Sequence, residues 1–128
     1  MKRSEFLQPL SREHHAALSL GKSCERAAQS GDADVVSQAC QRAVQAFANE
    51  LDRHFQVEER TLLPLLRGTE TRTRSLVQRT LADHRQLHGL LDGLKLNDAE
   101  ALNTFGQCLL AHVRFEEREL FPAIERLL

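Results

Sequence analysis

The chain has 128 residues, and its 17 basic and 18 acidic side chains give a net charge of -1, which is typical of one ordinary globular domain. It has no apolar run of membrane-spanning length and no signal-peptide core, so we expect a cytoplasmic protein without a membrane partner. The balanced charge and the absence of Tyr and Trp argue against nucleic-acid binding. Three cysteines without C-x-x-C spacing indicate neither a disulfide framework nor a thiolate zinc site.

Apolar residues recur at helical spacing almost throughout, and this pattern predicts an all-α fold. Glycine, proline and short polar residues interrupt the pattern at four places and so divide it into four helices. These places are Pro9-Leu10-Ser11, residues 30–34, residues 67–69 and residues 93–98. Short connections between long helices are typical of an up-down-up-down antiparallel four-helix bundle. The predicted helices run from Ser11 as N-cap to Gly31, from Asp32 or Asp34 to Gly68, from Thr71 to Leu91 or Leu94, and from Asn97, followed by Glu100 as in a capping box, to the end.

We divide the chain into a short N-terminal arm, residues 1–10, and the bundle, residues 11–128. A first helix that starts at Ser11 begins only three residues before His14, whereas the other helices extend much further beyond the same level. We therefore expect the arm to fold over the end of the bundle and to control access to its interior.

An internal repeat supports the division into helices. Residues 53–66 align with residues 111–124 without gaps, at an offset of 112 − 54 = 58 positions. A weaker similarity relates Glu13-His14 to Asp83-His84. The chain therefore has the pattern of two related helical hairpins, with the second and fourth helices as counterparts.

Both copies of the repeat place a histidine and a glutamate four residues apart. His54 and Glu58 share one helix face, as do His112 and Glu116, and both pairs lie on an apolar stripe. Burying two carboxylates without compensation costs several kcal/mol each, and neutral imidazoles carry no charge that could balance them. Metal cations would resolve this conflict.

The first and third helices also place histidines on their apolar faces. In an antiparallel bundle, two residues on neighbouring helices are level when they are equidistant from the connecting turn. The midpoints between successive histidines fall at positions 34, 69 and 98, all within the predicted turns. We expect four histidines at one level, and two glutamates and His88 one turn away. The predicted metal ligands are His14, His54, Glu58, His84, His88, His112 and Glu116.

Neighbouring residues offer alternatives to some of these ligands. We favour His14 over His15, because His14 follows an acidic residue as His84 does and is in phase with the apolar stripe. Glu59 and Glu117 lie about 100° around the helix from the inward glutamates, which favours a solvated or supporting position for them. His88 is alternatively a packed core residue.

Four motifs together resemble the hemerythrin-like family, also called the HHE cation-binding domain, over essentially the whole chain. They are Glu13-His14, His54-x-x-x-Glu58-Glu59 followed by Leu63-Pro64, Asp83-His84, and His112-x-x-x-Glu116-Glu117 followed by Phe121-Pro122. The resemblance implies a four-helix bundle around a non-haem di-iron centre. It also implies that Glu58 and Glu116 bridge the ions and that the histidines are terminal ligands.

Two details bear on the type of centre. The spacing His84-x-x-x-His88 resembles a histidine pair of true hemerythrins. Oxygen-carrying hemerythrins have an Asp five residues after the fourth-helix histidine, whereas here Glu116 follows His112 by four residues and Glu117 by five. Which of the two glutamates bridges therefore stays open.

The expected cofactor is two non-haem iron ions with an oxo or hydroxo bridge, and manganese or zinc are alternatives. With five histidines and two bridging carboxylates, one coordination position stays open for O₂, NO or peroxide. Our leading hypothesis is a protein that binds or senses O₂ or NO. The alternatives are a di-iron enzyme that acts on NO or peroxide or in iron-sulfur cluster repair, and a non-catalytic iron or redox sensor with an unknown protein partner.

Overall fold

The computed structural model describes residues 3–68 and 70–128, and it confirms an all-α four-helix bundle. We call its members the first to fourth bundle helices. No helix in these two ranges is both long and apolar enough to cross a membrane. The first bundle helix is Gln8–Ala28. The second comprises Ala33–Ala46, Phe47–Leu51, Asp52–Val57, Glu58–Leu62 and Leu63–Leu66. The third comprises Thr71–Gly89 and Leu91–Lys95, and the fourth comprises Ala99–Phe115, Glu116–Leu120 and Phe121–Glu125.

The first bundle helix starts at Gln8, three residues before the predicted N-cap. Ser11 therefore does not cap it, and its hydroxyl instead donates to Glu117 Oε2 at 2.9 Å. The sequence pattern predicts that Pro9 precedes the helix, but Pro9 lies in its first turn, where a missing N–H costs nothing and a fixed φ favours the helix. The predicted start was wrong for this reason.

The other predicted N-termini are close to the observed ones. Asp32 caps the second bundle helix, because its carboxylate accepts from the backbone N–H groups of Asp34 and Val35. The fourth bundle helix is capped by Asp98, whose carboxylate accepts from the Glu100 N–H, and not by the predicted Asn97. Asn97 has a φ of 59°, a left-handed conformation that asparagine tolerates better than most residues, and it reverses the chain just before the cap.

The second and fourth bundle helices widen into π turns at Glu58–Leu62 and Glu116–Leu120. In each turn the carbonyl of the first glutamate accepts from the N–H five residues later. Pro64 and Pro122 follow two residues after these turns, and a proline has no N–H for the carbonyl four residues back and clashes with it. The repeated proline therefore explains why both helices widen at the same place.

Two apolar clusters fill the bundle, with a polar layer between them. The cluster near the chain termini is built around Leu7, Leu62, Leu120 and Phe121, all fully buried. The cluster toward the other end includes Phe47, Phe55, Leu87, Leu94, Leu102, Phe105 and Leu109.

The first and fourth bundle helices pack closely through two glycines. A Cβ on Gly106 would lie 2.6 Å from the Gly21 carbonyl oxygen, and one on Gly21 would lie 2.8 Å from Leu110 Cγ. The backbones can approach this closely only because neither position carries a side chain.

Residues 3–7 of the predicted arm lie against the fourth bundle helix. Arg3 donates to the side chains of Glu117 and Glu125, and the Ser4 N–H donates to Glu125. The Arg3 guanidinium lies 5.8 Å from the Phe121 ring centroid, and Leu7 is fully buried. These contacts fix the segment to the end of the bundle where the π turn of the fourth helix lies.

Candidate metal centre

The polar layer consists of buried side chains from all four bundle helices. The structure brings together six of the seven side chains predicted as ligands, and each is at most 7% exposed. Glu58 and Glu116 are fully buried. These six side chains, here called the central cluster, are His14, His54, Glu58, His84, His112 and Glu116.

The central cluster divides into two groups of four potential metal ligands. One group is His14, His54, Glu58 and Glu116, and the other is Glu58, His84, His112 and Glu116. Within each group the ligand atoms lie within 4.8 Å of one another. Because Glu58 and Glu116 belong to both groups, the arrangement could hold two neighbouring cations with both carboxylates between them.

Every histidine of the cluster turns its Nε2 toward a glutamate. His14 Nε2 lies 2.8 Å from Glu116 Oε1, and His84 Nε2 lies 3.0 Å from Glu58 Oε1. The two pairs within a helix complete the pattern. His54 Nε2 lies 3.0 Å from Glu58 Oε2, and His112 Nε2 lies 3.3 Å from Glu116 Oε2.

The outward Nδ1 atoms bind a second set of carboxylates, here called the outer carboxylates. Each Nδ1 can donate to a carboxylate from the preceding bundle helix, and the series closes from the fourth helix to the first. This fixes the ring orientation, and in a neutral imidazole that donates from Nδ1 it directs the lone pair of Nε2 inward, where a metal could bind. The pairs are Glu13 with His54 at 2.6 Å, Glu59 with His84 at 2.7 Å, Asp83 with His112 at 2.9 Å, and Glu117 with His14 at 2.5 Å.

His88 lies outside the central cluster. Its side chain is exposed, its ring centroid is 5.7 Å from that of Phe47, and Leu87 is the fully buried residue of that turn. The prediction placed His88 level with the glutamates, but neighbouring helices run in opposite directions. Four residues beyond His84 therefore lead away from Glu58, toward the apolar cluster that contains Phe47.

The structure also separates the alternatives that the sequence left open. His15 is exposed, whereas His14 belongs to the central cluster. Glu116 points inward, and Glu117 binds the outer nitrogen of His14.

Sequence reasoning did not identify Glu13 and Asp83 as partners of histidines on the next helix. The signal was present, because both precede a histidine in repeat-related positions.

Burial and the neighbouring charges shift the pKa values of several side chains in the central cluster. Burial lowers the pKa of His54 and His112, but the two glutamates, and Asp83 for His112, outweigh it, and the pKa values reach about 11 and about 10. Burial lowers the pKa of His14, but its hydrogen bonds to Glu116 and Glu117 and the charge of Glu116 together outweigh this effect and raise the pKa. Burial and the neighbouring Glu116 raise the pKa of Glu58. Without a metal, protonated imidazoles therefore supply the positive charge that the sequence argument assigned only to cations.

The donor atoms fit a metal better than they fit one another. Glu58 Oε2, Glu116 Oε2 and His112 Nε2 are buried, and none forms a hydrogen bond with residues 3–68 or 70–128. The distances of 3.0 and 3.3 Å within the two His-Glu pairs are therefore close approaches without hydrogen-bond geometry. Buried polar atoms without partners cost stability, and a shared cation would satisfy all three.

A cavity of about 580 Å³ connects the cluster with the surface between the first and second bundle helices. Its inner end is lined by His14, His54, His112 and Glu116. The cluster is therefore accessible to molecules from one side of the bundle.

The family comparison agrees with this geometry. The model of the hemerythrin HHE cation-binding domain matches residues 6–124, which is nearly the whole chain and includes every residue of the central cluster. No curated protein and no solved structure matches the chain significantly. With a four-helix bundle, a buried histidine-glutamate cluster and a family match of this length, the chain belongs to the hemerythrin HHE cation-binding domain family.

Proposed function

We propose that this protein holds two iron ions in the central cluster and binds or senses O₂ or NO there. The observation that carries the proposal is that both four-residue groups contain Glu58 and Glu116. A carboxylate has two oxygens, so each glutamate can face both ions at once. A site for one ion would not need a second set of two histidines on the opposite side of the same carboxylates.

The number of donors supports exchange of a small ligand. Four imidazoles supply four donor atoms and two bridging carboxylates supply another four, which is fewer than the roughly twelve positions of two six-coordinate ions. Because His88 lies outside the cluster, at least one position for each ion is free of protein ligands even with a bridging oxygen. The cavity that reaches His54 and Glu116 provides a route for the ligand.

The donor types favour iron. Imidazole and carboxylate suit iron and also manganese, whereas structural zinc sites are usually four-coordinate and often contain thiolates. The cluster contains no cysteine. Bound iron would supply reversible one-electron chemistry and an affinity for O₂ and NO. The protein would supply four oriented imidazoles, two negative charges and a largely apolar enclosure.

Metal content and visible spectra test this proposal. We expect two irons per chain and, after the reduced protein is exposed to O₂ or NO, a new absorption band that disappears when the gas is removed. A spectrum that changes irreversibly would favour redox chemistry over reversible binding. One iron per chain, or zinc alone, would contradict the two-iron proposal.

Matched variants locate the metal. Glu58→Gln keeps the size of the side chain but removes its charge, and we expect it to lose most of the iron. His88→Ala and His15→Ala remove exposed histidines and should keep both ions. If the exposed variants lost iron as Glu58→Gln does, the central cluster would not be the site.

A further inference from the structure

The cavity between the first and second bundle helices is much larger than O₂ or NO requires. Its volume of about 580 Å³ lies in the range of pockets that bind small organic molecules, roughly 300–1,000 Å³. We call it the lateral cavity. Its walls are mainly apolar and include Ala17, Leu20, Ala46, Phe55 and Val113.

The lateral cavity is elongated along the bundle axis. The second bundle helix lines it from Arg42 to Phe55, and the first lines it from Glu13 to Leu20. The separation of twelve positions between Arg42 and His54 corresponds to about 18 Å of helix. One end is formed by the central cluster, and Arg42 marks the opposite end.

Two features of the packing accompany this space. The glycine contact between Gly21 and Gly106 brings the first bundle helix close to the fourth, on which Leu109 and Val113 line the cavity. In addition, the second bundle helix contains a π turn at Phe47–Leu51 beside the cavity, whereas the repeat-related positions, 105–109, lie within the regular helix Ala99–Phe115. π turns of this kind occur frequently at functional sites.

Some charged side chains along the mouth of the cavity are paired with an opposite charge, whereas Arg42 is not. Arg53 and Glu13 form an exposed pair at 4.0 Å near the cluster, where Glu13 also binds His54. Glu50 lies about 12 Å along the helix from Arg42, a separation of about one Debye length at moderate ionic strength. Within residues 3–68 and 70–128, the arginines that form salt bridges are Arg3, Arg53 and Arg79. Arg42 is exposed and is not among them, so its guanidinium is available for an anionic group.

We infer that the lateral cavity binds an elongated organic anion, such as a medium-chain carboxylate. Its anionic group pairs with Arg42, and its apolar chain lies along the alanine and leucine walls with its end near the central cluster. This inference goes beyond the proposed function, because the apolar walls and Arg42 would bind the anion with or without metal in the central cluster.

Calorimetric titration of the metal-loaded protein with decanoate tests the inference. We expect binding that strengthens by up to about fourfold for each methylene added between hexanoate and decanoate, since each buried methylene adds hydrophobic free energy. Arg42→Gln should weaken decanoate binding about tenfold or more, because it removes a charge-assisted hydrogen bond. Arg72→Gln, an exposed arginine on the third bundle helix, is the matched control and should bind as the unmodified protein does.

Two further measurements complete the test. Ala46→Leu should fill part of the cavity and abolish decanoate binding while the metal content stays unchanged, which separates this site from the metal centre. Decanol should bind at least tenfold more weakly than decanoate. Equal binding of decanol and decanoate, unchanged binding by Arg42→Gln, or no binding of decanoate would overturn the inference. Decanoate binding that requires metal but not Arg42 would place the carboxylate at the ions and would also overturn it.

Discussion

Glu13 on the first bundle helix holds the outer nitrogen of His54 on the second, with its Oε1 2.6 Å from His54 Nδ1. The two residues are 41 positions apart in the chain, and neither belongs to the motif of the other. The same relationship recurs for each of the other three histidines of the central cluster. The orientation of every potential ligand therefore depends on a neighbouring helix.

We expect Glu13→Gln to weaken metal binding by roughly 10- to 100-fold without unfolding the bundle, since supporting carboxylates of this type orient the ligand and raise its basicity. Glu13 is about half exposed, so its loss removes little packing. Competition with a chelator of known affinity measures the change. Glu119→Gln, an exposed glutamate outside both carboxylate sets, should retain the original affinity; equal loss in both variants would contradict a specific effect of Glu13.

Glu116→Gln should remove both ions rather than one. Glu116 belongs to both four-residue groups, so neutralising it affects both sides of the centre. Metal content per chain after gel filtration is the measurement, and His88→Ala serves as the control that retains the metal. A Glu116→Gln protein that still holds one full equivalent would show that the glutamates do not serve both ions equally.

The metal-free protein should lose stability as the pH rises above neutrality. The pKa values of His54 and His112, about 11 and about 10, lie above the ordinary value of 6.5 that these residues take in the unfolded chain. A raised pKa contributes stability that is fully present below 6.5 and is lost as the pH rises through the folded value. We therefore expect the Tm of the metal-free protein to fall between pH 7 and pH 10.

Metal-loaded protein is the control for this dependence. The ions replace the imidazole protons, so its Tm should change much less over the same interval. Metal binding should also release protons, which titration in buffers of different ionisation enthalpy can count. A metal-free protein whose Tm stays constant up to pH 10 would argue against protonated histidines in the cluster.

Arg3→Ala should affect both stability and the metal centre. Arg3 binds Glu117 and Glu125, and Glu117 holds the outer nitrogen of His14. Because these groups are partly buried, we expect the unfolding free energy to fall by about 1–2 kcal/mol. Chemical denaturation measures the loss, and stopped-flow release of metal to a chelator should be faster. If release is unchanged while stability falls, the contact with Glu117 is structural only.

Gly106→Ala should destabilise the protein by about 1–3 kcal/mol, because the new Cβ would lie 2.6 Å from the backbone oxygen of Gly21 and force the two helices apart. Gly89→Ala is the matched control. Gly89 ends an α-helical segment and has no atom within 4 Å of an added Cβ, so alanine there should be neutral or slightly stabilising. Thermal unfolding of the two variants provides the comparison.

Helical periodicity and the internal repeat were sufficient to predict the bundle, because four helices with short connections have few alternative arrangements. Equidistance from the turns was also sufficient to predict that His14, His54, His84 and His112 meet. The same rule excludes His88, since Glu58 and His88 are not equidistant from the turn near position 69. Taking account of helix direction would have corrected that prediction from the sequence alone.

Other features depend on packing that a sequence pattern does not describe. The close approach of Gly21 and Gly106 sets the spacing of the first and fourth bundle helices, and nothing in the helix periodicity indicates that distance. The outer partner of each histidine lies on another helix, so its identity depends on the relative rotation of the two helices. The start at Gln8 depends on whether Pro9 ends a loop or begins a helix, and both are common for proline.

The six side chains of the central cluster come from all four bundle helices, and this distribution limits when metal could bind during folding. The first group draws on the first, second and fourth bundle helices, and the second group draws on the second, third and fourth. No hairpin of two adjacent helices contains either complete group. Either group is complete only after three bundle helices have packed together, so metal would bind late in folding. Bound ions would then oppose separation of the two helical hairpins.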